Sequence, residues 1–189
     1  MPAYEFTDEW RVAADPAAVW DVVRDVERWP AWWPSARSVT QIGSAGPDGQ
    51  VWRFVFRTRL PYPMGFDARV LRDDPLHGVE TSVTGRVEGS GRWEVTSVAG
   101  GSAVCFHWVV SPRVGWMRAL SPVARPLFVW NHRALMQEGG EGLARRLDTR
   151  LLAPPGSTPA LAPAIAAAAA WPAGGLALLA GLRRLVRRS

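Results

Sequence analysis

Lysine is absent: all 22 basic residues are arginine. Cysteine occurs once, at Cys105, tyrosine twice and histidine three times. A single cysteine excludes an intramolecular disulfide, so the fold does not depend on oxidising conditions. Three scattered histidines and one cysteine show no metal-ligand spacing, and no metal is expected. There is no Walker motif and no strand–GxGxxG–helix unit, so no nucleotide cofactor is expected. Gly85, Gly89 and Gly91 lie between strands with no helix after them and read as a bulge or turn. Acidic residues are missing beyond Arg150. Four of the five net positive charges are Arg183, Arg184, Arg187 and Arg188, which leaves residues 1–150 at +1. A nucleic-acid footprint over the domain is therefore not expected. The opening Met1–Trp10 contains three acidic residues and no apolar stretch. It does not read as a leader, and a cytoplasmic placement is expected.

The chain is rich in tryptophan instead. It has 11 in 189 residues, and 48% of all residues are hydrophobic. That length suits one domain and an appendage: a domain over 1–152, then an Ala/Pro-rich linker and basic tail over 153–189. Residues 4–14 alternate, with Tyr4, Phe6, Trp10 and Val12 on one face. This is the pattern of a half-buried strand, and Asp8 interrupts its apolar face. Asp15-Pro16 announces a helix, Asp as N-cap and Pro in the first turn. Trp29-Pro30 is expected to stop it, and Trp32-Trp33-Pro34 to make an aromatic turn. Strands are expected over 36–43, 51–60, 66–72, 78–88, 91–98 and 102–111, separated by Gly and Pro turns. A long helix is expected from near Pro126 to about Leu152, with Phe128, His132, Leu135, Met136, Gly139, Leu143 and Leu147 in one stripe. Gly139, Gly140 and Gly142 are costly there, about 1 kcal/mol each against Ala, and imply close approach to the sheet.

The expected class is α+β: a curved antiparallel sheet of about six to seven strands wrapped around a long C-terminal helix, with a short helical pair after the first strand. Three segments also carry a family resemblance: Trp10-Arg11-Val12 through Asp15-Pro16-Ala17-Ala18-Val19-Trp20 and on to Trp29-Pro30-Ala31-Trp32-Trp33; Gly89 through Val95; and Pro126 through His132, followed by Met136, Gly139, Gly142 and Leu143. Over roughly residues 4–150 the chain resembles the START-like or SRPBCC superfamily, within it the polyketide cyclase/dehydrase-like or lipid-transport-like group. The resemblance implies the helix-grip fold. Members bind lipids, sterols or polyketides, and only some are enzymes.

The inward face of the expected strands carries Trp52, Phe54, Phe56, Phe66, Trp93, Phe106 and Trp108, which wall either a filled core or an apolar ligand cavity. Asn131, His132 and Met136 of the long helix complete the expected site. His132 is either a general acid/base facing that space or a helix histidine bonded to a carbonyl or carboxylate. Asn131 is either a structural partner or a ligand-orienting group. Cys105 and His107 are expected to point outward, and no third residue suggests a nucleophilic pair. His77 is expected in an exposed turn. Arg53, Arg57 and Arg59 alternate with aromatics and read as a solvated face rather than a nucleic-acid surface.

Residues 160–182 are uncharged and then meet Arg183-Arg184. The length could span a bilayer, but the Ala, Pro and Gly content argues against insertion. Leu178, Leu182 and Leu185 on one side, with Arg183, Arg184, Arg187 and Arg188 on the other, suit contact with an anionic membrane surface. A floppy tail and a true span remain the alternatives. The leading functional expectation is a carrier or binder of a hydrophobic small molecule, lipid or polyketide-like. A cyclase or dehydratase in which His132 moves protons with help from Tyr62 is the second. An interaction module with a filled core, whose Trp29–Trp33 turn contacts another protein, is the third.

Overall fold

The computed structural model describes residues 4–43, 49–60, 62–74 and 78–156, the side chains of 116–124 excepted. His77 and the expected membrane contacts Leu178, Leu182, Arg183, Arg184, Leu185, Arg187 and Arg188 lie outside the described residues.

Strand β1 (Tyr4–Val12) turns Tyr4, Trp10 and Val12 into the core. Helix α1 (Pro16–Arg24) follows, and the Asp15 carboxylate accepts the Ala17 N–H at 2.8 Å. It buries Val19, Trp20 and Val23. The helix stops at Arg24, before Trp29-Pro30. After one 3₁₀ turn (Val26–Arg28), Pro30 falls in the first turn of a new short helix, α2 (Trp29–Trp32). Proline starts this helix, because its missing N–H has no intrahelical partner there anyway.

Six further strands complete a seven-stranded sheet: β2 (Ala36–Gly43), β3 (Val51–Phe56), β4 (Met64–Asp74), β5 (Gly78–Gly85), β6 (Val87–Val98) and β7 (Gly101–Pro112). The order β1-β7-β6-β5-β4-β3-β2 and the pairing are antiparallel throughout. Several expected strands had the wrong limits: 66–72 extends to Met64–Asp74 and 91–98 begins at Val87. β3 ends at Phe56 rather than residue 60, because the Thr58 hydroxyl bonds the carbonyls of Leu60 (3.1 Å) and Tyr62 (2.7 Å) and folds the segment into a turn. The expected strand 78–88 is broken at Gly85, whose φ of 120° makes the turn, so Val87 and Glu88 belong to β6. Gly89 and Gly91 therefore lie inside a strand. A Cβ on Gly91 would come within 2.8 Å of Trp108 Nε1, so this glycine is a seat for the indole opposite it.

Helix α3 runs Gly115–Arg146. It begins eleven residues before the expected start, and Pro126 lies inside it. It also stops short of Leu152: Asp148 adopts φ 49°, the left-handed conformation that closes helices, and the Thr149 N–H reaches back to the Ala144 carbonyl at 2.9 Å. The chain then runs along the outer edge of β1. Ala13 N–H donates to Arg150 O (3.0 Å), Leu152 N–H to Arg11 O (2.8 Å) and Gly156 N–H to Glu9 O (3.2 Å). Among the described residues no helix is long and apolar enough to cross a membrane.

The three helix glycines do allow a close approach, chiefly to tryptophan. A Cβ on Gly139 would sit 2.5 Å from Trp10 and 2.7 Å from Trp33, and one on Gly142 would overlap the Trp32 carbonyl oxygen. Around this seam Trp10, Trp29, Trp32 and Trp33 pack on one another, Trp10 edge-on to Trp33 at 5.1 Å, Trp29 tilted on Trp33 at 5.1 Å and Trp32 stacked on Trp33 at 5.8 Å. The Trp33 indole N–H donates to Leu135 O (3.0 Å), tying this turn to α3.

Candidate functional site

The alternation of β3, β4, β6 and β7 sends one side chain in two towards α3. Between that concave face and the Phe128–Met136 stretch of the helix lies a cavity of about 610 Å³, within the range of small-molecule sites. All ten residues expected at a binding site line it: Trp52, Phe54, Phe56, Phe66, Trp93, Phe106 and Trp108 from the sheet, and Asn131, His132 and Met136 from α3. Phe54 and Phe66 stack at 5.2 Å, and Phe66 meets the edge of Trp108 at 4.9 Å. Rigid, mutually braced rings of this kind hold a shape that flexible aliphatic chains would collapse into. Tyr62 does not line the cavity. Its phenol is pushed up by burial, which disfavours the charged form, and so holds its proton.

Polar groups also line the wall, and one pair of them stands among the rings. His132 Nε2 lies 2.6 Å from Asp8 Oδ2, with side-chain exposures of 19% and 8%. The imidazole also stacks on Phe6, ring centroids 3.9 Å apart. Asp8 interrupted the apolar face of β1 and His132 the apolar stripe of α3; each anomaly is the other's partner. A buried carboxylate needs such a partner, since desolvation alone would otherwise disfavour its charge. Asp8 was not expected at the site, and the paired interruption of two apolar faces is the signal that points to it. Asn131 is committed elsewhere: its side-chain oxygen accepts the Arg59 N–H at 2.9 Å and fastens the β3–β4 connection to α3. Phe128 and Leu135 of α3 also line the cavity, as do Tyr4 and Phe6 of β1 and Trp29 and Trp33 of the α2 turn, two elements from which no site residue was expected.

At one end the wall becomes charged. Asp21, Arg24 and Asp25 at the end of α1 face Asp73 at the end of β4. The Arg24 guanidinium grips Asp73 through two contacts, Nε to Oδ1 at 3.0 Å and Nη2 to Oδ2 at 2.8 Å.

The outer face behaves differently. Cys105 lies 3.7 Å from the buried Glu9 carboxylate, itself paired with Arg11. Burial first, and Glu9 second, push its thiol up to about 12, so it is not a nucleophile near neutrality. His107 is exposed, 3.7 Å from Glu5. Both point away from the cavity, as expected.

A curved antiparallel sheet gripping a C-terminal helix across an apolar cavity is the START-like, helix-grip class. Residues 3–148 match the family described as polyketide cyclase / dehydrase and lipid transport, and the chain belongs to that family. No curated protein sequence matches the chain. Among solved structures, it is similar to the di-domain ARO/CYC protein BexL from the BE-7585A biosynthetic pathway: TM-score 0.62, 19% identity, over 78% of this chain and 51% of that one. It thus spans about half of that protein. It is also similar to the Zhui aromatase/cyclase from Streptomyces sp. R1128, with TM-score 0.61 and 18% identity over 78% of this chain and 93% of that one. A START superfamily protein from Mycobacterium smegmatis aligns with TM-score 0.53 and 14% identity over 77% of this chain and 97% of that one. At these identities the likeness is one of fold.

Proposed function

We propose that the domain binds and carries a hydrophobic small molecule, lipid-like or polyketide-like, in the cavity between sheet and helix, with no metal or nucleotide. The observation that carries this reading is the 610 Å³ space itself, walled by braced aromatic rings. A protein that needed only a core would fill such a space, because empty volume costs dispersion and transfer energy. The family, whose description joins polyketide cyclases with lipid transport, supports the same reading. The basic tail, Arg183 to Arg188 with its leucines, would add contact with an anionic membrane on the cytoplasmic side.

Native mass spectrometry of freshly purified protein, followed by organic extraction, tests this. The expected result is a stoichiometric apolar adduct that extraction releases and identifies by class. A protein that arrives apo and takes up no hydrophobic fluorescent probe sinks the reading.

One observation favours a second reading, a cyclase or dehydratase acting on a polyketide-like chain: the Asp8–His132 pair stands in the cavity wall. There Asp8 would orient the imidazole and His132 would move a proton on the bound chain. Single-turnover assays with the extracted ligand class decide it. Loss of product in both His132→Gln and Asp8→Asn supports the enzyme; unchanged turnover in His132→Gln removes it.

A further inference from the structure

Charge along α3 is uneven. From Gly115 to Gln137 the helix contains Arg118, Arg125 and Arg133 and no acidic residue; the first acid is Glu138. This is the stretch that roofs the cavity, through Phe128, His132 and Leu135. Its other side is not apolar by accident of crowding: Leu127 is 46% exposed and Trp130 48% exposed, one turn apart. A large indole left half in water is unusual in a chain that buries Trp10, Trp20, Trp29, Trp32, Trp33 and Trp93.

Arginines surround these two side chains. The Arg59 guanidinium lies 5.5 Å from the Trp130 ring centroid and 3.7 Å from Glu138. Arg133 is exposed on the turn after Trp130, whereas Arg125 lies on the Phe128–His132 side of the helix, over the Tyr4 ring at 5.7 Å, and is not part of this surface. The result is a surface with Trp and Leu at its crest and cations on its flanks, on the outer side of the cavity roof.

We infer that this face of α3, with Arg59, is where the domain rests on an anionic lipid membrane. Tryptophan prefers the bilayer interface, where its ring is half in the acyl region and its N–H meets water and headgroups. Guanidinium groups match lipid phosphates bidentately while their stems lie along apolar surface. An acidic protein would satisfy the arginines but would need a matching apolar pocket for Leu127 and Trp130, which a bilayer interface supplies without one. The purpose of the contact, passing an apolar ligand between membrane and cavity, rests on the carrier reading above. The contact itself does not.

The test is flotation of the full chain with phosphatidylcholine vesicles, with and without phosphatidylglycerol. To separate this face from the tail, the comparison is made in full-length protein carrying Arg183→Gln, Arg184→Gln, Arg187→Gln and Arg188→Gln. That protein is expected to float with the anionic vesicles and not with the neutral ones. Arg59→Gln with Arg133→Gln is expected to lower partitioning more than tenfold, at about fivefold per cation. Leu127→Ser with Trp130→Ser is expected to lower it comparably. The arginine pair is exposed and leaves the core intact, and an unchanged melting curve checks that. If the tail-neutral protein fails to float, or floats equally well with both pairs of substitutions, the inference is overturned. Vesicle binding by a protein that extraction shows to be empty and that takes up no hydrophobic fluorescent probe would remove the carrier reading and leave this one standing.

Discussion

Two stretches of α3 meet the rest of the domain in opposite ways. Its C-terminal half lands on the tryptophan cluster so closely that a single added carbon at Gly139 or Gly142 would strike Trp10, Trp33 or the Trp32 backbone. The stretch before it, bearing Phe128, His132, Leu135 and Met136 at the middle of the helix, stands off the sheet across the cavity. The elements are the same; the side chains decide. Glycine on the helix removes the spacer and permits contact, whereas large rings on both partners brace the helix away. A core and a binding site are thus built in register along one helix.

The largest expected effect is on the buried Asp8–His132 pair in the cavity wall. His132→Leu leaves the Asp8 carboxylate buried without its partner and is expected to cost about 3 kcal/mol by urea unfolding. Adding Asp8→Leu should return most of that loss, because an apolar pair of similar bulk removes the stranded charge. A double variant no better than the single one would show that the pair does more than satisfy itself. In the packed half, Gly142→Ala should destabilise by about 2 kcal/mol through overpacking, against the roughly 1 kcal/mol that alanine adds to helix propensity. A stabilised variant would mean the helix does not sit as closely as described. Leu135→Ala, on the cavity side, should cost only about 1 kcal/mol, below the usual range for a buried leucine, because its side chain already borders open space. Equal costs at a packed position such as Leu143 and at Leu135 would erase the distinction between the stretches.

The smallest effect concerns the outer face. The Cys105 thiol is pushed up to about 12 from an ordinary value of 9.0, by burial first and Glu9 second. A group whose folded pKa is raised contributes stability that is complete below the unfolded value and is lost as pH rises through the folded one. The window is therefore roughly pH 9 to 12. Cys105→Ser should flatten the alkaline part of the stability profile, and iodoacetamide should label the native thiol slowly at pH 8. Rapid labelling of folded protein at that pH would contradict the assignment.

Much of this arrangement is legible from local pattern. Alternation in β3, β4, β6 and β7 names the ring-bearing wall, and the helical stripe names His132 and Met136, with Asn131 entering only as the neighbour of His132. What local pattern does not supply is pairing across the chain. Asp8 and His132 are each visible as a polar interruption, yet they are 124 residues apart, and neither period says which interruption meets which. The same limit explains the glycines of α3: their spacing shows a close approach, but the surface approached is formed by Trp10 and the α2 turn, elements far apart in sequence. The start of α3 was missed for a different reason. Pro126 is more often a first-turn residue than an interior one, since an interior proline forfeits a backbone hydrogen bond; here the helix continues through it.

The sheet also has two dissimilar margins. Along β1 the backbone groups of Glu9, Arg11 and Ala13 are already taken by residues 150–156 of the same chain. Along β2 no strand among the described residues lies outside, and its register with β3 slips twice, between Ala36 and Ser38 and between Gln41 and Gly43. Growth of a fibre by strand addition needs a usable template on both sides of every copy. With one margin occupied by its own chain and the other irregular, two molecules could join edge to edge at most once, and the exposed aromatic interior of an opening domain would have no sheet on which to propagate.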